Sequence, residues 1–139
     1  MAKSTLLKFP FEYVRVSGLG ILFYPIVSLD LKTIFGWKKF DFLVDTGADL
    51  TTLPATVLPY LGIEKEGLKE SRTVGVGGIE VATWEMSVPL RLGTNEFLVK
   101  AAVTQDSSTP FLLGRKDLFE ERFSLILDSK DKVTVIKEN

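Results

Sequence analysis

Apolar side chains in this sequence recur at every second position in short runs, and the runs are cut by Gly, Pro, Asn or Asp. Period-two alternation turns one side of a segment toward a core and the other toward water, which is strand geometry rather than helix geometry. Strands are predicted over residues 11–16, 21–31, 39–44, 72–76, 79–92, 96–103, 123–127 and 133–136. Many short, punctuated strands, with no tandem repeat and no low-complexity linker, predict an all-β barrel or sandwich closing one core.

Within 79–92 the apolar parity changes: Ile79 and Val81 share one side, whereas Trp84, Met86, Val88, Leu90 and Leu92 share the other. A strand that switches sides leaves one environment for another, so its first part is expected to be an arm outside the core. Residues 123–136 read as a hairpin that turns at 128–131. Helical spacing is confined to two places. At 54–61, Pro54 suits a first turn and Pro59 keeps the segment short. At 115–122, Leu118 and Phe119 form a small apolar face among charges, which predicts a short amphipathic C-terminal helix over one barrel end.

With 139 residues and 45% hydrophobic content, the chain suits a single domain, 1–139, with a real core. Residues 1–24 would add N-terminal strands to it and 123–137 the C-terminal hairpin. Lys and Arg number 17 against 18 Asp and Glu, and no basic cluster exceeds Lys38-Lys39, which argues against nucleic acid or anionic membrane as a partner. The N-terminus lacks an apolar run long enough for a signal peptide, and the window 20–29 is too short for a bilayer and contains Pro25. A soluble, cytoplasmic protein is expected. The chain has no Cys and no His, so thiolate catalysis, His-based triads and the usual zinc ligands are excluded. No metal or cofactor is predicted, and any acid/base work falls to Asp, Glu, Lys or Tyr.

Three segments carry candidate chemistry. In FDFLVDTGADLTTLP, residues 40–54, Asp45 ends an apolar strand and meets Gly47 two residues later. An Asx turn, in which the carboxylate accepts neighbouring N–H groups, explains the tripeptide without chemistry; a catalytic carboxylate is the other reading. The stretch Thr73-Val74-Gly75-Val76-Gly77-Gly78 lacks the Lys-Ser/Thr of a phosphate loop and precedes a strand. It fits a plain hairpin turn, or a mobile hairpin tip that closes over a ligand. Residues 109–115, TPFLLGR, read as an apolar strand ending in a Gly at close backbone approach. Trp37, at a hairpin tip, and Trp84 read as packing residues.

In this order and spacing, the three segments resemble the retropepsin-like aspartic proteases, the single-domain group of retroviral proteases and their cellular and bacterial relatives. The matching residues are Leu43-Val44-Asp45-Thr46-Gly47-Ala48-Asp49, then Gly75-Val76-Gly77-Gly78, then Phe111-Leu112-Leu113-Gly114-Arg115. From Asp45, Gly75 lies 30 residues on and Gly114 lies 69 residues on. The resemblance covers about 25–119 and implies a closed β-barrel of the acid protease type, half of a pepsin-like enzyme, with a flap hairpin. It implies that Asp45 is the catalytic carboxylate, that Thr46 bonds across to its counterpart in a partner chain, and that Gly47 permits close approach. Ala48 and Asp49 would line the cleft opposite the flap residues Val76, Gly77 and Gly78. Leu112, Leu113 and Gly114 would support the catalytic loop, and Arg115 would pair with Asp49.

The mechanism that the resemblance implies needs two carboxylates sharing one proton, as aspartic proteases do in general. The sequence has eight aspartates, and only Asp45 is followed by Thr-Gly or Ser-Gly. The resemblance therefore implies an endopeptidase acting on extended peptides as a two-fold homodimer, with one Asp45 from each subunit. A non-catalytic dimeric module of the same fold, binding peptides or only dimerising, is the alternative; a monomeric barrel for a small ligand is a third.

Overall fold

The structure, a computed structural model, describes residues 6–74, 80–105 and 108–139. Its strands in chain order are β1 (Leu6–Pro10), β2 (Glu12–Val16), β3 (Gly20–Tyr24), β4 (Ile26–Thr33), β5 (Gly36–Val44) and β6 (Thr51–Pro54). After a helical connection come β7 (Lys69–Val74), β8 (Glu80–Leu92), β9 (Asn95–Thr104), β10 (Leu112–Leu113), β11 (Phe123–Asp128) and β12 (Val133–Glu138).

Six of these strands close a barrel in the order β4-β5-β10-β6-β9-β8, with β8 returning to β4 through Asp30↔Arg91 and Leu31↔Leu90. Closure removes the free edges of an open sheet. The all-β barrel expected from the alternation is thus present, and its interior is the apolar parity of each strand. Val27, Leu29 and Leu31 from β4 meet Phe42 from β5, Leu53 from β6, Val88, Leu90 and Leu92 from β8, and Val99 from β9, all essentially buried. Burying each such side chain contributes about 1.5–3 kcal/mol. The C-terminal strands β11 and β12 form a hairpin, and β1 adds to its far side to make a three-stranded sheet. At its turn, the Lys130 and Asp131 N–H groups both donate to Asp128 Oδ1 at 3.0 Å. Strands β2 and β3 pair only with each other among the described residues.

The side switch in β8 corresponds to a change of partner. From Glu80 to Ala82 the strand pairs with β7, and from Thr83 onward it also lies along β9. The buried parity starts with Met86.

Two expectations are corrected. Residues 21–31 are not one strand: Pro25, which has no N–H to donate, divides β3 from β4, and its carbonyl accepts the Val44 N–H at 2.9 Å. Residues 115–122 form a series of turns rather than a C-terminal helix. Asp117 sits at φ 67°, a left-handed conformation that stops an α-helix from propagating. Its carboxylate accepts the Lys100 N–H of β9 at 2.9 Å, which fixes that conformation. The short helix is instead Leu58–Leu61, inside the segment 54–61, with Pro59 in its first turn and Gly62 closing it at φ 69°. No helix among the described residues is long and apolar enough to cross a membrane.

Candidate active site

The Asp45 loop is held by a crossing of chains that no local pattern announces. Strands β5 and β6 are consecutive in sequence, yet the two-residue strand β10 lies between them, parallel to β5 through Leu112↔Leu43 and Leu113↔Val44 and antiparallel to β6 through Leu112↔Thr52. The loop 45–50 therefore leaves on one side of β10 and returns on the other. The Leu43 N–H donates to the Phe111 carbonyl at 2.8 Å, and the Asp45 N–H donates to the Leu113 carbonyl at 3.0 Å. On the returning limb, the Arg115 N–H donates to the Ala48 carbonyl at 3.1 Å and the Lys116 N–H to the Asp49 carbonyl at 2.9 Å. Both limbs are strapped to residues 111–116.

Inside the loop, the Gly47 N–H donates to Asp45 Oδ1 at 3.0 Å and the Ala48 N–H donates to the Asp45 carbonyl at 3.1 Å. This is the Asx turn read from the sequence, and it fixes the carboxylate's direction. Asp45 stays half-buried while Thr46 and Gly47 are exposed, so a directed, partly accessible carboxylate stands beside exposed backbone. A Cβ on Gly47 would stand 3.3 Å from Asp45 Oδ1, tight enough to press on the carboxylate. Among the described aspartates, Asp30 is engaged by Arg91, Asp41 by Ser28, Asp117 by the Lys100 N–H and Asp128 by its own turn.

Gly114 shows why a glycine closes the supporting segment. A Cβ there would overlap the Leu50 carbonyl carbon and oxygen and lie 2.8 Å from the Thr51 nitrogen, all backbone atoms. Its N–H donates to Thr51 Oγ1 at 3.2 Å, and Thr51 is fully buried. Leu113 is also fully buried, and Phe111 packs on Phe40 and Phe42, with ring centroids 5.2 and 5.3 Å away. The Arg115 guanidinium pairs with Asp49 Oδ1 as expected, but the Asp49 side chain is 86% exposed. An ion pair that open to water contributes little to stability.

The structure thus brings Asp45, Thr46, Gly47, Ala48 and Asp49 together with Leu112, Leu113, Gly114 and Arg115. The remaining candidates, Val76, Gly77 and Gly78, lie outside the described residues, between the last described pair of the β7–β8 hairpin, Val74↔Glu80. Trp37 lies under the Lys32 and Arg91 cations at 5.3 and 4.8 Å, and Trp84 under Lys65 at 4.6 Å, in keeping with packing roles. Thr51 and Pro25 were missed in the sequence. Thr51 carries no local signal, because it is one of two threonines opening TTLP and its partner Gly114 is 63 residues away.

The family described as "gag-polyprotein putative aspartyl protease" matches residues 32–118, more than half of the chain. Among solved structures, a retropepsin-like aspartic protease from Rickettsia conorii is similar, with 22% identity, a TM-score of 0.63, and coverage of 99% of this chain and 97% of that one. No curated protein sequence matches the chain. The family match over the strapped Asp-Thr-Gly loop and the shared barrel lead to one conclusion: this chain belongs to the retropepsin-like aspartic protease family.

Proposed function

We propose that the protein is an aspartic endopeptidase that works as a homodimer, with Asp45 of each subunit meeting on the two-fold axis. The observation that carries this reading is the Asp45 carboxylate itself. It is half-exposed and oriented by the Gly47 N–H, on a loop strapped from both sides, and Asp-Thr-Gly occurs once per chain. Two carboxylates brought close share one proton. The ionised one takes a proton from a water whose oxygen attacks the peptide carbonyl carbon; the protonated one donates to the carbonyl oxygen. Collapse of the tetrahedral intermediate breaks the C–N bond, and the amine leaves with a proton. No cofactor is required. Thr46 bonds across to its counterpart, and an extended peptide lies as an added strand between Gly47, Ala48 and Asp49 on one side and Val76, Gly77 and Gly78 on the other.

A second reading, a non-catalytic dimeric module that binds peptides, draws on the same hydrogen bond. An Asx turn at Asp45 holds the loop whether or not chemistry follows. Asp45→Asn separates the two, because an amide oxygen still accepts the Gly47 N–H and preserves the turn. Cleavage of a peptide library at mildly acidic pH should fall by about a thousandfold or more in the variant, the loss expected when an essential acid/base group is removed. Equal activity in both proteins sinks the protease reading, and binding without cleavage in either favours the module.

A further inference from the structure

The hairpin of β2 and β3 has the surface of an element made to be covered. Register puts Tyr13, Ile21 and Phe23 on one face and Val14 and Leu22 on the other, with Leu19 at the tip. These are 53%, 61%, 41%, 46%, 36% and 70% exposed respectively, so both faces are apolar and both open. Among the described residues neither strand pairs with anything else, and each keeps a free edge. Its base is anchored by Phe23 stacked on the buried Phe11 at 4.1 Å. A lone two-stranded ribbon is marginally stable in water, and contiguous apolar patches on a soluble protein mark contact surfaces.

We propose that this hairpin is an arm that packs on a second copy of the chain and holds the dimer together at its catalytic end. Position and area favour that occupant. The residue after Tyr24 is Pro25, whose carbonyl accepts the Val44 N–H, so the arm springs from the barrel end that carries Asp45. That site needs a second copy for its second carboxylate, and to that extent the inference rests on the function proposed above. With roughly 150–200 Å² in each large apolar side chain and about half of it open, the face of Tyr13, Ile21 and Phe23 together with the tip Leu19 offers on the order of 400 Å² per chain. A two-fold pair of such faces would cover about 800 Å² in total, so the arms add to the contact at the Asp45 loops in reaching the roughly 1,000 Å² of a specific interface.

The test is sedimentation velocity over a concentration series on the full chain, comparing the parent with Ile21→Asp/Leu22→Asp. Circular dichroism and Tm serve as fold controls, and Ile21→Val/Leu22→Met as the conservative variant. The expected result is a dimeric parent, a doubly charged variant with at least tenfold weaker self-association, and a conservative variant like the parent. Cleavage by the charged variant should recover at high protein concentration. A charged variant that dimerises as the parent does overturns the proposal, as does a parent that stays monomeric throughout. Unchanged mass with a raised KM would assign the arm to substrate, and unchanged mass with lost binding to phosphatidylcholine/phosphatidylglycerol vesicles would assign it to lipid; either also overturns it. A hairpin-dependent dimer that cleaves nothing leaves the arm standing and removes the protease reading instead.

Discussion

The loop at 45–50 and the β2–β3 hairpin leave the barrel at the same end, yet they are held in opposite ways. The loop is short, exposed at Thr46 and Gly47, and fixed by backbone bonds from residues up to 68 positions away, such as Asp45 to Leu113. The hairpin is longer and richer in apolar side chains, but among the described residues its strands pair only with each other. Apolar content therefore does not decide which region is rigid. What decides it is how many distant segments constrain the same backbone. An acid/base carboxylate needs a fixed direction, and pre-organised geometry of this kind comes from supporting residues rather than from the reacting one.

That contrast can be broken at its strongest point first. Gly114→Ala puts a methyl group into backbone of Leu50 and Thr51 that has no flexible end to move. It should destabilise the fold by about 3 kcal/mol or more, read from urea unfolding, with loss of cleavage among any molecules that still fold. Thr51→Val keeps the shape but removes the acceptor of the Gly114 N–H in a fully buried place. A stranded buried donor costs about 1–3 kcal/mol, and Thr51→Ser should restore most of it. The weakest effect belongs to the hairpin: Leu19→Ser, at an exposed tip, should change monomer stability by less than about 0.5 kcal/mol when measured at low concentration. A Leu19 effect as large as that of Thr51 would mean the hairpin is braced after all.

Alternation made the long barrel strands legible, since β4, β5, β8 and β9 are long enough to show a buried parity. The strands that build the site are not. Strand β10 has two residues and β6 has four, too few for a period, and both exist because β5 and Thr51 offer partners far away in sequence. Asp45, Gly47 and Gly114 could be picked out because their residue types match the family's pattern. The hydroxyl of Thr51 could not, because Thr in a strand is unremarkable until Gly114 lies beside it. The misread 115–122 shows the same limit: its spacing suits a helix, and only the bond from the Lys100 N–H to Asp117 explains why the backbone turns left-handed there. The alternation marks β2 within 11–16 but runs β3 into β4 across Pro25, and nothing in it says that the surface facing each apolar residue of the hairpin is missing.

The central claim is that one active site takes an Asp45 from each of two chains, and subunit mixing tests it most directly. A fixed amount of parent protein is allowed to exchange subunits with increasing amounts of Asp45→Asn, and peptide cleavage is followed. If the site is shared, mixed dimers are inactive, and an equal amount of variant should lower parental activity to about half after random exchange. Parental activity that stays constant at every ratio, with exchange confirmed by mass, would contradict a shared carboxylate pair.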